Sequence, residues 1–282
     1  MRSLILGASG LIGSNLATAC AARGHRVTGT CYRRAVPDLL PLDVRDGEAI
    51  AELIAEHEPE VTFFAVGTAH PADVGEVVAA GVATVAKQVR SYGGTFVYIS
   101  SANVFGHGAG ARSEADSPQP SDAIGRAAVA AEVVLREELP GRHLILRTSE
   151  VYGPAPRPRG LPARVLRTLA RGEAYQAGDG VTQPTYAPDL AAAALDLVER
   201  GYTGTMHVAG PDKLSEYTFA RLVTFVHRED CDRVERAPGE PSRPALDRNR
   251  ARAILGAKAI RYPADGLRAA RDIAAVRRLH AA

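Results

Sequence analysis

The sequence predicts an α/β fold in which a doubly wound parallel sheet is followed by a smaller C-terminal lobe. Three observations predict it. Short apolar runs alternate with helical patterns over the first 150 or so residues. A glycine-rich turn separates the first apolar run from the first helical pattern. The alternating pattern ends after Tyr152. Gly153–Pro162 contains four prolines and two glycines and is typical of a loop.

The elements of the first half follow from periodicity and from turn residues. The predicted strands are Ser3–Leu6, Arg26–Cys31, Val61–Val66, Thr95–Ser100 and His143–Arg147. The predicted helices are Leu11–Arg23, Val74–Tyr92 and Ala123–Leu139, the last ending before a Pro-Gly pair. Strands that alternate with helices in this way predict a parallel sheet with helices on both faces.

Composition excludes several classes of protein. The chain has 282 residues, 46% of them hydrophobic, and a net charge of +2, so neither nucleic acid nor an anionic membrane is expected as a partner. No apolar run approaches the roughly 18 residues of a membrane span, and the first residues are not typical of a signal peptide. Cys20, Cys31 and Cys231 lack metal-ligand spacing and predict reduced thiols in a cytoplasmic protein.

Residues 7–13, which read Gly-Ala-Ser-Gly-Leu-Ile-Gly, predict a dinucleotide site. Glycine is needed there because the turn is tight, the backbone must approach a pyrophosphate, and the helix must pack close to the strand. The helix N-terminus then offers N–H groups to the phosphates. The predicted contacts come from Gly7, Ser9, Gly10, Leu11, Ile12 and Gly13.

The end of the second predicted strand indicates which dinucleotide binds. NAD usually meets a carboxylate there, but residues 1–37 contain no Asp or Glu. The strand runs into Tyr32, Arg33 and Arg34, whose guanidinium groups suit the 2′-phosphate of NADP. The alternative is that both arginines are merely solvated, and NAD stays possible. Further predicted cofactor residues are Asp43 and Val44, near the adenine, and Ala65.

The second half predicts a smaller lobe that is interleaved with the first domain. Predicted helices are Ala163–Arg171, Asp189–Arg200 and Leu214–Val226, with a strand at Thr205–Val208. A proline-rich linker, Ala237–Pro244, precedes two basic helical stretches. We therefore predict a Rossmann domain over residues 1–152 and a substrate lobe over residues 153–282, laid over the carboxyl edge of the sheet.

Five segments resemble the extended short-chain dehydrogenase/reductase family. They are Gly7–Gly13, Tyr98–Gly106, Leu146–Pro154, Gln183–Ala191 and His207–Ser215. The nearest resemblance is to the dTDP-4-dehydrorhamnose reductase branch, which also includes the regulatory β subunit of methionine adenosyltransferase. The resemblance implies a Rossmann fold, hydride transfer, a nucleotide-sugar substrate and a homodimer built through helices beside the fourth strand, where the alanine-rich Ala123–Ala131 face would suit close packing.

The resemblance also implies which residues act. A Tyr-x-x-x-Lys pair on a helix would exchange a proton with the substrate, and a serine after the fourth strand would hold the substrate oxygen. Ser101 fits the serine position. Implied substrate contacts are Asn103, Val104, Gln183 and Tyr186.

The sequence departs from that family at the proton-transfer pair. The flanking prolines, Gly125 and Glu132 fix the register and place Ile124 where the tyrosine should be and Ala128 where the lysine should be. No Tyr-x-x-x-Lys occurs anywhere in the chain. Losing a positioned general acid typically lowers a rate by about 10²–10⁴-fold.

Other residues could replace the missing pair. His70 follows the third buried strand, and His107 and Glu114 follow Ser101, so both histidines are candidate proton donors, although such loop histidines are more often structural. Asp189 is expected to cap the helix that follows it.

Three hypotheses remain open. The first is an atypical NADP-dependent oxidoreductase or epimerase acting on a nucleotide-activated keto sugar or a similar polar metabolite. The second is a catalytically impaired NADP-binding protein that regulates or stabilises a partner. The third is non-redox chemistry in the same cleft.

Overall fold

The computed structural model describes residues 1–67 and 73–279, so the candidate His70 lies outside the described residues. Within them, the strands are β1 (Arg2–Leu6), β2 (Arg26–Cys31), β3 (Leu40–Pro41), β4 (Val61–Phe64), β5 (Thr95–Ser101), β6 (Ala111–Arg112), β7 (His143–Thr148), β8 (Val151–Tyr152), β9 (Tyr175–Ala177), β10 (Val181–Thr182), β11 (Thr185–Tyr186), β12 (Gly204–His207), β13 (Leu214–Ser215), β14 (Val234–Arg236) and β15 (Ala245–Leu246).

The helices alternate with these strands as the sequence predicts. They are α1 (Leu11–Ala22), α2 (Gly47–His57), α3 (Gly81–Tyr92), α4 (Ala123–Glu138), α5 (Gly160–Ala170), α6 (Ala187–Glu199), α7 (Glu216–His227), α8 (Asn249–Leu255) and α9 (Pro263–Leu279). A π-helical segment, Gly75–Ala80, leads directly into α3, and together they correspond to the single helix predicted over Val74–Tyr92. None of the described helices is long and apolar enough to cross a membrane.

The central sheet is parallel throughout and has the order β12-β7-β5-β4-β1-β2-β3. One face is covered by α2, α3 and α4 around an apolar cluster that includes Ile50, Phe64 and Val85. The opposite face is covered by α1 and α6 around a second cluster that includes Leu16, Phe63 and Leu195. Because both faces are buried, the predicted doubly wound α/β fold is confirmed.

Two elements after residue 152 complete this sheet layer. Strand β12 pairs with β7 at the edge of the central sheet, and α6 packs against α1. Their apolar residues, which follow the proline-rich loop in sequence, form part of the second apolar cluster. The boundary at residue 152 stays a prediction, and the chain interleaves the two parts through these elements.

The smaller lobe has its own apolar cluster. Helices α5 and α7, the strand pair β9–β14 and α9 surround Tyr152, Val165 and Phe219, which are all nearly or fully buried. Helix α5 begins at Gly160, inside the stretch predicted as loop, and Gly160 has a φ of +75°, a conformation that favours glycine.

Short strand pairs bring the later segments to the carboxyl edge of the central sheet. Strand β15 pairs with β6 in the loop that follows β5, and β11 pairs with β8 just after β7. Strand β10 pairs with β13, which precedes α7. These pairs place residues of the second half beside the ends of β5 and β7, where the predicted site residues lie.

Candidate functional site

The glycine turn after β1 forms an open cradle at the start of α1. Gly7 has a φ of +85°, a conformation that favours glycine. A Cβ on Gly13 would lie 2.7 Å from the carbonyl carbon of Gly7, so no side chain fits there. Gly10 begins α1 without a side-chain cap, and the first turn of the helix carries no acid. The N-terminal N–H groups are therefore available to an anion, which fits the pyrophosphate of a dinucleotide.

The remaining residues of the turn are partly exposed around this cradle. Ser9, Leu11 and Ile12 are all intermediate in exposure, as is Ala65, whose carbonyl oxygen closely approaches Gly7. Val44 differs, because its side chain is only 6% exposed and packs against Gly81 in the first apolar cluster. Its contact with a cofactor stays a prediction, and the structure gives its side chain a packing role.

A basic corner surrounds the end of β2. Arg33 and Arg34 are exposed, and Arg33 lies 3.8 Å from Asp73. Arg45 is a residue that the sequence reasoning missed. It donates to Asp43 at 2.7 Å and to the Tyr32 hydroxyl at 3.1 Å.

Pairing with Arg45 lowers the pKa of Asp43 and balances its negative charge. The hydrogen bonds from Arg45 lower the pKa of Asp43 to about 2, so this carboxylate stays ionised but is paired with a cation. A paired carboxylate repels a phosphate less than a free one. The position of Arg45, two residues after Asp43, is visible in the sequence. The hydrogen bonds between the two side chains are visible only in the folded structure.

Ser101 ends β5 and caps the 3-10 turn Ala102–Phe105. Its Oγ donates to Asn103 Oδ1 at 2.9 Å and accepts from the Asn103 backbone N–H at 3.2 Å. On the neighbouring strand, Thr148 is the register partner of Ser101, and its buried Oγ1 has no hydrogen-bond partner among the described residues. The sequence reasoning missed Thr148. A second hydroxyl therefore lies on the same face and at the same edge as Ser101.

Asn103 links Ser101 to the start of α4. Its Nδ2 donates to Asp122 Oδ2 at 3.1 Å, and the other oxygen of Asp122 accepts the Gly125 N–H at 2.6 Å and caps the helix. Arg243 also donates to Asp122 Oδ2, at 3.0 Å. Burial raises the pKa of Asp122, but the bonds from Gly125 and Arg243 outweigh it and hold that pKa below its ordinary value.

The two positions of the missing pair differ in exposure. Ile124 is 43% exposed, whereas Ala128 is 2% exposed and packs with Ala102 and Phe105 of the turn that follows Ser101. Neither side chain can donate a proton. Part of the alanine-rich face is covered within the chain, because Ala127 and Ala131 belong to the first apolar cluster, whereas Ala130 is exposed. The packing of this face against a second copy stays a prediction.

His107, Glu114 and Val104 lie near Ser101 in different environments, and the proton-transfer role of His107 stays a prediction. His107 is exposed, and its Nδ1 lies 3.1 Å from the Ser121 hydroxyl. Glu114 accepts the backbone N–H of His207 at 3.0 Å. Val104, an implied substrate contact, is part of the 3-10 turn Ala102–Phe105, and its side chain is fully buried. The described geometry gives Val104 and Glu114 structural contacts, while His107 faces solvent.

The implied substrate residues of the second half are held by structural contacts. Gln183 is buried, and its Oε1 accepts the Leu246 N–H at 2.6 Å while its Nε2 donates to the Leu246 carbonyl at 3.2 Å. Tyr186 is 1% exposed and packs against Tyr152. Their substrate contacts stay predictions. In this structure the Gln183 amide joins β15 to the rest of the site and the Tyr186 ring is covered.

The expected capping role of Asp189 is wrong. Helix α6 begins after Tyr186, and Asp189 lies within its first turn. Its carboxylate accepts the Arg261 backbone N–H at 2.8 Å and Nε–H at 2.9 Å. Asp189 therefore binds Arg261, 72 residues away in sequence, instead of the N–H groups at the start of its own helix. This contact holds the C-terminal segment against α6.

A buried ionic cluster lies behind Ser101. Glu132 of α4 accepts from Arg147 Nη2 at 2.6 Å, from Arg147 Nε at 2.9 Å and from the Ser100 hydroxyl at 2.7 Å. His207 lies next to Arg147, with 3.4 Å between its Nε2 and Arg147 Nη1. Glu132 and His207 are fully buried, and Arg147 is 1% exposed. The sequence reasoning used Glu132 only to fix the register and missed the cluster.

The environment of the cluster sets the charge of its members. Burial raises the pKa of Glu132, but the hydrogen bonds and charge of Arg147 outweigh it and hold that pKa below its ordinary value. Burial lowers the pKa of His207, and the Arg147 charge adds to that shift. The cluster therefore consists of an ionised pair beside a neutral imidazole, and it fixes α4 against β5 and β7.

No group of side chains suited to a metal ion is found among the residues that the structure describes. The glycine cradle, the basic corner and the hydroxyls at the ends of β5 and β7 all lie at the carboxyl edge of the central sheet. A parallel Rossmann sheet with this cradle after β1, and a smaller C-terminal lobe at its carboxyl edge, defines the extended short-chain dehydrogenase/reductase class.

The chain belongs to the RmlD substrate binding domain family, whose model matches residues 1–261. A probable low-salt glycan biosynthesis reductase, Agl14, of Haloferax volcanii is 28% identical over 291 residues, covering 91% of this chain and 93% of that protein. The methionine adenosyltransferase 2 subunit beta of Rattus norvegicus is 27% identical over 237 residues, covering 78% and 70%. A solved structure of a hypothetical dTDP-4-dehydrorhamnose reductase from Sulfolobus tokodaii superposes with a TM-score of 0.82 at 28% identity, covering 94% and 99%.

Proposed function

We propose that this protein is an NADP-dependent oxidoreductase that acts on a nucleotide-activated keto sugar. The observation that carries the proposal is the open glycine cradle at α1, which lies at the same sheet edge as Ser101. The similarity to a glycan biosynthesis reductase and to a hypothetical dTDP-4-dehydrorhamnose reductase supports the sugar-nucleotide class.

The basic corner supports NADP in preference to NAD. Arg33 and Arg34 are exposed at the end of β2, and Asp43, the carboxylate predicted near the adenine, is paired with Arg45. A 2′-phosphate would receive charge-assisted hydrogen bonds from these guanidiniums. The carboxylate of Asp43 is already paired with Arg45, so it is not free to bind the ribose of NAD.

The residues of the chain have distinct roles in this proposal. A bound nicotinamide supplies the hydride. Ser101 turns its hydroxyl from Asn103 to the substrate oxygen and orients it, and Thr148 offers a second hydroxyl beside it. Because Ile124 and Ala128 cannot donate a proton, the proton comes from water or from one of two loop histidines, His107 or His70, the latter outside the described residues.

A second candidate function is an NADP-binding protein that regulates a partner. Ile124 and Ala128 favour it, because the loss of both members of the pair removes the usual proton transfer while leaving the cradle intact. The similarity to the methionine adenosyltransferase 2 subunit beta also favours it. We further propose a cytoplasmic location, consistent with three free cysteines, and a homodimer.

Titration and turnover separate these functions. The purified protein is titrated with NADP, NADPH, NAD and NADH, and then assayed with a panel of 4-keto sugar nucleotides. NADP(H) binding with turnover supports the oxidoreductase, and tight NADP(H) binding without turnover supports the regulatory protein. Replacing Arg33 and Arg34 together by alanine is expected to weaken NADP and leave NAD nearly unchanged. Tighter binding of NAD by the unmodified protein would contradict the cofactor assignment.

A further inference from the structure

Glu150 lies where the carboxyl edge of the central sheet meets the smaller lobe. It follows the end of β7 by two residues, and its carbonyl oxygen accepts the Thr185 backbone N–H at 2.9 Å. Thr148, the last residue of β7, is the register partner of Ser101. Neighbouring strands lie about 4.8 Å apart and a strand rises about 3.3 Å per residue, so the Cα atoms of Glu150 and Ser101 are separated by about 8 Å. A glutamate side chain and one water molecule span such a gap.

The carboxyl group of Glu150 lies at the start of α5. It accepts the backbone N–H of Leu161, the second residue of that helix. Glu150 is half-buried, so part of its surface stays accessible. Within the described part of the chain it forms no ion pair, since the guanidinium of Arg164 pairs with Glu216 at 3.5 Å. Glu150 therefore has one hydrogen-bond donor and no cation to hold it as a carboxylate.

The surroundings of Glu150 favour its neutral acid form. Burial raises the pKa of Glu150, and the charge of Arg164 and the Leu161 N–H, which both lower it, do not cancel that rise. The Glu216 carboxylate raises it further, although Glu216 itself accepts the Tyr175 hydroxyl at 2.8 Å. Glu150 therefore keeps its proton to a higher pH than an ordinary glutamate does. A protonated carboxyl group can act as a general acid.

We propose that Glu150 supplies the proton of the reduction and passes it through one water molecule to the substrate oxygen that Ser101 holds. This inference rests on the proposed function. As the carbonyl carbon receives the hydride, its C=O bond becomes a C–O single bond and the oxygen takes a proton from the water. The water takes the carboxyl proton of Glu150, which leaves an alcohol, the oxidised cofactor and a carboxylate. Solvent returns a proton to Glu150 afterwards. The acid that Ile124 and Ala128 cannot provide thus comes from the other side of Ser101.

Glu150→Gln separates proton transfer from structure, because glutamine keeps an oxygen for the Leu161 N–H but has no acidic proton. Turnover is measured with NADPH and a panel of 4-keto sugar nucleotides that includes dTDP-4-dehydrorhamnose. We expect kcat to fall about 100-fold and NADPH affinity to stay unchanged. Glu173→Gln alters an exposed glutamate just after α5 and should leave kcat unchanged. Thermal unfolding shows whether Glu150→Gln is folded. If it is not, Glu150→Asp, which keeps an acid, and the pH profile test the role.

The pH profile of kcat distinguishes a proton source from a structural residue. Turnover of the unmodified protein should fall as the pH rises through the pKa of Glu150, because the carboxylate has no proton to give. Arg164→Gln removes a positive charge that lowers this pKa, so the fall should move to higher pH. Arg171→Gln makes the same change in charge at an exposed site and should leave the fall where it is. In Glu150→Gln this fall should be absent.

The outcomes separate this role from the proposed function. A folded Glu150→Gln protein with full kcat, or a pH profile that does not move in Arg164→Gln, would overturn the role and leave the reductase in place. Binding of NADPH without turnover by the unmodified protein would overturn the proposed function and this role with it. Carbon-13 NMR of carboxyl-labelled glutamate needs no turnover. The signal missing from Glu150→Gln should titrate above the ordinary pKa of 4.5, and titration at or below 4.5 would overturn the role.

Discussion

Helices α1 and α4 both begin at the carboxyl edge of the central sheet, but their first turns are built for different purposes. Helix α1 begins at Gly10 with no side-chain cap, so its N–H groups are open to a ligand. Helix α4 begins at Asp122, whose carboxylate accepts the Gly125 N–H and closes the helix end. One N-terminus is prepared for a phosphate, and the other is occupied by its own chain.

The difference separates cofactor binding from proton transfer. The α1 side retains the glycines that a dinucleotide needs, with strict steric reasons at Gly7 and Gly13. The α4 side retains its anchor, Glu132, but carries Ile124 and Ala128 where the family has its reactive pair. Helix α4 therefore keeps its packing contacts, and the loss of proton transfer from this helix stays a prediction.

Restoring the pair on α4 is the strongest test. Ile124→Tyr together with Ala128→Lys is expected to raise turnover of a 4-keto sugar nucleotide by about 100-fold or more, since a positioned acid contributes about 10²–10⁴-fold. Ile124 is exposed, but Ala128 is packed against Ala102 and Phe105, so the lysine is expected to lower the free energy of unfolding by about 1–3 kcal/mol. Each single variant serves as a control, and a double variant no faster than either would remove the lost-chemistry interpretation.

Breaking the anchor of α4 should have the largest effect on stability. Glu132→Gln leaves Arg147 buried without its carboxylate, and removing one partner of a buried pair typically lowers stability by about 3–5 kcal/mol. The matched control is Glu137→Gln, which alters an exposed glutamate of the same helix and should change the free energy of unfolding little. Urea unfolding measures both. Equal stabilities would show that the cluster does not anchor α4.

Closing the cradle on α1 should abolish cofactor binding. A Cβ at position 13 would meet the backbone of Gly7, and the strain of Gly13→Ala is expected to reduce stability by about 1–3 kcal/mol. NADP affinity is expected to fall below detection in a fluorescence titration. Gly47→Ala is the control, because its Cβ would lie 3.5 Å from Thr84 in ordinary contact. Retained NADP binding by a folded Gly13→Ala protein would contradict the assigned cradle.

Removing the Ser101 hydroxyl should have a smaller effect than the changes to α1 and α4. Ser101→Ala is expected to lower turnover about ten-fold, because a hydrogen bond to the reacting oxygen is lost, and to leave NADP affinity unchanged. Ser91→Ala removes an exposed hydroxyl at the end of α3 and is the control. Full turnover in Ser101→Ala would transfer the chemistry to another group such as Thr148 or His70.

Lowering the pH should reduce the free energy of unfolding, because His207 is buried next to Arg147. Burial lowers the pKa of His207 from its ordinary 6.5, so the unfolded chain binds this proton more readily than the folded one. Stability from this group is present above about pH 6.5 and is lost as the pH falls towards the folded pKa, by at most about 1.4 kcal/mol per pH unit. His207→Gln should flatten this part of the stability profile, measured by urea unfolding from pH 5 to 7.5.

The control for this titration is His107→Gln, which changes an exposed histidine. A change of slope that occurs in His207→Gln but not in His107→Gln would assign the effect to His207. An unaltered slope in His207→Gln would show that His207 does not link pH to folding. Loss of stability from Glu132, whose pKa is held low, begins at lower pH than that from His207, because its ordinary pKa is 4.5 rather than 6.5.

The sequence by itself determined the parallel sheet and the glycine cradle, and it predicted the absence of a Tyr-x-x-x-Lys pair from α4. Apolar periodicity identified β1, β2, β4, β5 and β7 to within one or two residues, because strand and helix patterns are local. The glycines at 7, 10 and 13 were readable because their steric needs arise within one turn. Ile124 and Ala128 were readable because proline, glycine and glutamate fixed their register.

Only the tertiary structure decided which distant residues meet. Arg243 reaches Asp122 across 121 positions of sequence, and β12 joins the sheet beside β7 although it follows the proline-rich loop. Asp189 was expected to cap its own helix and instead binds Arg261. Local propensity cannot reveal such pairs, because a charged side chain finds its partner through the packing of whole elements, and burial then makes that partner necessary.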